Sequence, residues 1–114
     1  MSSSANIEQA LDILVPLRQA LEAGFWDSNR IDVKDRVFDL VSCVNAELNE
    51  LAKLSVSDLG MQYETITPNF AASCSKLRQM SENLNDWFLR SDTNNELGEQ
   101  LIKAAGLLSD CRLS

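Results

Sequence analysis

Histidine is absent from all 114 residues. That absence removes the commonest general base, the usual partner of a catalytic serine or cysteine, and the favoured nitrogen ligand of zinc, iron and copper. A carboxylate-bridged metal site inside a helical bundle draws on inward-facing Glu-x-x-His pairs, which this chain cannot supply. Glycine is scarce, and Gly24, Gly60, Gly98 and Gly106 stand alone with no strand-like run before any of them, so no loop is built to cradle phosphate. Strand-like alternation of useful length, internal repeats and low-complexity tracts are missing as well. Neither catalysis nor a bound cofactor or small-molecule substrate is expected.

Long apolar runs are also lacking. No stretch approaches the roughly 18 to 20 apolar residues that cross a bilayer. Met1-Ser2-Ser3-Ser4 has no basic start, and Asp12 and Arg18 interrupt the first apolar segment, so a secretory signal is not expected. Cys111-Arg112-Leu113-Ser114 lacks the aliphatic pair of a prenylation box. Positive charge is the minority sign: 10 Lys and Arg against 17 Asp and Glu give a net charge of −7 and a pI near 4.4. Direct binding to nucleic acid or to anionic lipid is therefore disfavoured, and basic partner surfaces are favoured. The three cysteines, Cys43, Cys74 and Cys111, are odd in number, far apart, without C-x-x-C spacing, and within or beside apolar stripes. They read as buried reduced thiols, Cys111 the most exposed, and point to a reducing interior, cytoplasmic or nuclear.

What the chain does have is apolar residues at helical intervals, in a length suited to one domain over residues 1–114, with residues 1–4 expected to be disordered. The first helix is expected from about Asn6 to about Ala23. Ser4 or Asn6 is the cap, Asn6 having Gln9 three residues on for a reciprocal pairing; Ile7, Ala10, Leu11, Leu14, Leu17, Leu21 and Phe25 form the inner stripe, and Pro16 predicts a kink or a break. Gly24 to Asn29 reads as a loop. Asp32 caps a second helix to about Lys53, whose stripe is Val33, Val37, Leu40, Val41, Val44, Leu48 and Leu51, with Glu47 and Glu50 on a solvated charged face. Asp32, Asp35 and Asp39 share a face and read as an acidic, solvated helix start rather than a cation site, since no calcium-loop spacing accompanies them.

Ser55 and Asp58 signal a short extra helix before Pro68. Thr67 and Pro68 start a third long helix to about Arg90, with Phe70, Cys74, Leu77, Met80, Leu84 and Phe88 inside. Thr93 and Glu96 cap a fourth carrying Leu97, Leu101, Ala104, Ala105 and Leu108. Four one-sided helices with short connections predict an all-α, antiparallel four-helix bundle.

Apolar residues off these stripes cannot turn inward together with their neighbours, and so mark candidate contacts. They are Ile13, Val15, Phe38, Leu89, Ile102 and Leu107, joined by Trp26 and Trp87, the marginal members of two adjacent aromatic pairs. Such a chain is expected to work without catalysis, as a helical interaction module, a small subunit or adaptor of a larger assembly, whose partner offers a helical or basic surface. The alternative is a closed symmetric homodimer through the same residues.

Overall fold

A computed structural model describes residues 5–113, so the expected disorder of residues 1–4 lies outside the described residues. The described chain is all-helical: α1 (Ile7–Asp27), α2 (Ile31–Leu51), a 3-10 turn (Val56–Asp58), α3 (Pro68–Ala71), α4 (Cys74–Glu82), α5 (Leu84–Trp87) and α6 (Ser91–Ala105). The two long helices α1 and α2 pack side by side. α6 packs on α1, while α3 lies on α2, α4 touches both α6 and α2, and α5 lies on α6.

Helix α1 begins where its unpaired amides find partners. Asn6 and Gln9 bond reciprocally, and the next two free N–H groups, of Ile7 and Glu8, donate to the carbonyls of Met61 and Leu59. Tyr63 N–H donates to Ala5 C=O, and Asn6 and Gln62 form an isolated antiparallel bridge. Residues 59–63 therefore lie against the start of α1. Pro16 removes one helical donor without breaking the helix, because Leu14 and Leu17 on either side of it are fully buried and hold both halves in place.

The expected loop at Gly24 is absent, since α1 runs on to Asp27. Gly24 is buried inside the helix, where a Cβ would sit 2.9 Å from Phe88 Cε1 and 3.1 Å from Leu97 Cδ1. Its missing side chain admits a close neighbour and does not end the helix. Helix α2 starts at Ile31 with Arg30 at the cap position, so Asp32 is not the cap. Asp32 instead pairs with Arg30 at 2.9 Å, which holds its carboxyl below the usual range. Likewise α6 starts at Ser91 rather than after Thr93, because Asp27 Oδ2 accepts from the N–H groups of Leu89 and Arg90 and fixes the extended chain just before it.

The third long helix is replaced by three short ones, α3, α4 and α5. Two polar side chains account for the breaks by competing for helical carbonyls. Buried Ser73 donates its hydroxyl to Phe70 C=O at 2.7 Å, and Asn83 Nδ2 donates to Gln79 C=O at 2.7 Å. Thr67 caps α3 and Pro68 opens it, and the Ser55–Asp58 pairing closes the 3-10 turn, as their spacing predicts. Periodicity survives the breaks: Phe70, Leu77, Met80 and Phe88 are fully buried, with Cys74 and Leu84 partly so.

Two of the three cysteines are not free thiols. Cys74 and Cys111 form a disulfide that ties the start of α4 to the segment after α6, and Cys111 is buried rather than exposed. The segment after α6 folds back through Asp110 at φ 56°, which returns Cys111 toward α4, an approach that helical periodicity does not encode. Cys43 alone is a free buried thiol, its proton affinity raised by burial. A reducing compartment inferred from three thiols thus loses two of its three supports.

Candidate functional site

The site is a corner where the end of α1 meets the start of α2. Consecutive helical residues diverge by about 100°, so Phe25 turns partly inward and Trp26 outward. Trp26 is 80% exposed and Phe38, facing it from α2, is 61% exposed. Phe25 and Trp26 pack edge to face with centroids 5.2 Å apart. Glu22, Phe25, Trp26, Phe38 and Val41 line a cleft of about 270 Å³. Ile31, seven residues before Phe38 and so on the same face of α2, is also exposed.

Lys34 stiffens this corner. Its Nζ lies 4.3 Å from the Phe25 ring centroid and 5.4 Å from that of Trp26, and it donates to Phe25 C=O. The last turn of α1 has no basic residue of its own, so a lysine from the next helix meets the negative end of its dipole and both aromatic faces together. Arg30 bridges Asp32 and Asp86, joining the 28–30 connection to α5.

On its other side Trp26 walls a second cleft of about 480 Å³, with Asp27, Arg90, Asp92 and Glu96 around it. Carboxylates outnumber the single guanidinium there. Leu89 projects into solvent from the connection that Asp27 holds. Trp26, Phe38, Ile31 and Leu89 are thus large apolar side chains left to water at or beside one corner that ion pairs and backbone hydrogen bonds keep in shape.

The structure brings together only some of the residues singled out from sequence. Trp26 and Phe38 share a cleft, and Leu89 stands beside Trp26's other wall. Ile102 is exposed on α6 and lines neither cleft, while Ile13 and Val15 are partly buried against the core. Two do not qualify as surface: Trp87, 9% exposed, packs against Phe88, and Leu107, 5% exposed, folds back onto the core from the turn after α6. The breaks at Ser73 and Asn83 and the turn after Ala105 rotate these side chains away from where a continuous helix would put them.

Glu47 is also misplaced by the sequence, and it is fully buried. Its Oε1 accepts from Thr67 N–H and Thr67 Oγ1, each at 2.9 Å, and its Oε2 from Tyr63 OH at 2.5 Å and Ile66 N–H at 2.9 Å. A signal existed: Leu40, Val44, Glu47 and Leu51 follow one helical stripe, so an acid stood among core positions. Leu54, Val56, Met61 and Ile66 are further exposed apolar residues, all in the segment after α2, where no long helical stripe marks an outer face.

Metal-ligating chemistry does not converge. Asp32 is turned to Arg30 and Asp39 to Lys76 at 2.8 Å, and among the described residues no three His, Cys, Asp or Glu side chains gather to hold an ion. Among the described residues no helix is long and apolar enough to cross a membrane. Comparison with protein-family models, curated proteins and solved structures finds no match.

Proposed function

We propose that this protein is a non-catalytic helical interaction module, a small subunit or adaptor of a larger assembly, that docks a helical segment of another protein at the Trp26–Phe38 corner. The observation that carries the reading is the pairing of two large, mostly exposed aromatic side chains across a cleft whose walls are fixed by Lys34. Aromatic side chains in a pre-shaped pocket lose little freedom on binding and are the commonest anchors of protein interfaces. A cleft between two helices suits an amphipathic helix, with apolar residues three and four apart filling it. The acidic rim on Trp26's other side, Asp27, Asp92 and Glu96 against Arg90, favours a partner with basic residues flanking those anchors. On this reading α3–α5 serve as the broken member of an antiparallel four-helix bundle whose task is to hold α1 and α2 in register.

The test is site-specific photo-crosslinking in cells expressing the chain at native level. A photoreactive residue in place of Glu22, exposed on the wall of the cleft, should give discrete adducts to another protein, while one at Asn49, exposed and far along α2, should not. Trp26→Asp combined with Phe38→Asp should abolish those adducts and leave helical circular dichroism unchanged. Adducts that survive the double variant would sink the proposed face, and adducts only to a second copy of the chain would replace the partner by a homodimer.

A further inference from the structure

The Cys74–Cys111 disulfide is built asymmetrically. Cys74 is the first residue of α4, a helix of 9 residues, so its sulfur lies at the positive end of the helix dipole. One turn on, Arg78 places Nη2 3.5 Å from Cys74 Sγ. Both features stabilise negative charge on that sulfur. Cys111 has neither. It follows Asp110, whose φ of 56° is a backbone conformation that residues with side chains seldom hold. Beside it opens a cleft of about 170 Å³ lined by Gly106, Leu108, Asp110, Cys111 and Arg112.

We propose that this pair is a thiol–disulfide exchange site for a dithiol reductant, at which Cys111 takes the incoming sulfur, Cys74 leaves as thiolate, and residues 106–113 are released. Cys111 is the more buried of the two cysteines, and the cleft it lines is its route to solvent; the incoming thiolate enters there and bonds to Cys111 Sγ. The bond between the two protein sulfurs breaks, and its electron pair goes to Cys74 Sγ beside Arg78. The second thiol of the reductant then attacks the mixed disulfide, freeing Cys111 and closing the reductant's own disulfide. Two electrons and two protons pass from the dithiol to the protein. Cys43 is a bystander, buried in α2 with Lys76 Nζ 3.9 Å from its sulfur.

Release has a structural consequence. The helical hydrogen bonding of α6 ends with Leu107 and Leu108 donating to Ala104 and Ala105 C=O. Beyond them the disulfide is the covalent tie that returns the chain to α4 after the left-handed turn at Asp110. Once it opens, only non-covalent contacts keep this segment in place, and Leu107 and Leu108, both buried in the oxidised protein, are exposed more often by local opening.

The oxidised full chain is mixed with a thioredoxin-type protein whose resolving cysteine is replaced by serine, and the trapped mixed disulfide is located by peptide mass spectrometry. Trapping at Cys111 is expected. Trapping at Cys74 overturns the assignment, and so does a protein that air oxidation leaves with both thiols free. Hydrogen exchange over residues 104–113 should rise on the order of tenfold on reduction with dithiothreitol while α1 and α2 are unchanged, and equal exchange in both states overturns the release. Arg78→Gln, at an exposed position, should slow reduction by glutathione about threefold. An unchanged rate removes Arg78 from the site.

Discussion

Tyr63 donates its phenolic hydrogen to Glu47 Oε2 at 2.5 Å, joining the buried face of α2 to the chain that precedes α3. The remaining donors to this carboxylate, from Ile66 and Thr67, come from the same short segment. Thr67 Oγ1 in turn accepts from Phe70 N–H, so the anchor passes on into the cap of α3. Glu47 organises a turn, with both oxygens occupied by the protein itself.

Alkaline pH should reveal this pair. Burial first, then the Glu47 carboxylate, push the Tyr63 hydroxyl well above its ordinary value of 10. The folded protein keeps a proton that the unfolded chain releases, so the stability from this site is whole below about pH 10 and falls by up to about 1.4 kcal/mol per pH unit above it. The chain has 1 tyrosine, so phenolate absorbance reports Tyr63 alone. Ionisation is expected only together with unfolding. A smooth titration near pH 10 in protein that stays helical would mean that the hydroxyl is not held.

Glu47→Gln should cost about 2 to 4 kcal/mol, because an amide turns two donor hydrogens toward groups that are donors already. Urea unfolding measures this. Glu50→Gln, on the outer face of the same helix, should stay within about 0.5 kcal/mol.

Gly24→Ala tests the close approach of α1 to Phe88. Alanine favours a helix interior by about 1 kcal/mol, but the buried Phe88 ring cannot retreat, and overpacking costs about 1 to 3 kcal/mol. A net loss of stability is expected. At Gly60 an added methyl meets no atom within 4 Å, so Gly60→Ala should be close to neutral. A gain at position 24 would show that α1 and Phe88 are farther apart than described.

Cys74→Ser should lower stability by about 2 to 4 kcal/mol without reductant, from the freedom restored to an unfolded chain that loses a link between residues 37 apart. With dithiothreitol present, wild type and variant should unfold at the same urea concentration. A persistent difference would mean that serine disturbs packing rather than a covalent tie.

Gln100→Met should stabilise by about 1 kcal/mol. Gln100 is buried in α6 and its Oε1 has no hydrogen-bond partner, while its Nε2 reaches only Glu96 at 3.3 Å. A drop in the thermal midpoint of the variant would contradict this account.

Helix class and most of the core were legible in the sequence, because burial follows spacing: Leu14, Val37, Val44, Leu77 and Leu101 fall where a 3.6-residue wheel puts them. Caps built from neighbours three residues apart, Asn6 with Gln9 and Ser55 with Asp58, were legible for the same local reason. Features set by distant partners were not. Asp27 fixes Leu89 and Arg90, Phe88 and Leu97 explain Gly24, and Thr67 explains Glu47. In the candidate corner, Trp26 and Phe38 could be placed on outward faces, but Lys34 lying across the two aromatic rings needed the hairpin geometry. Trp87 illustrates the limit: its angle on a continuous helix is marginal, and the break at Asn83 carries it inward.

The first turn of α1 borrows its acceptors from residues 59 and 61. During synthesis α1 therefore emerges with these opening amides meeting only water, until residues 59 and 61 have followed it out of the ribosome. Truncations ending before residue 59 should show a frayed start to α1.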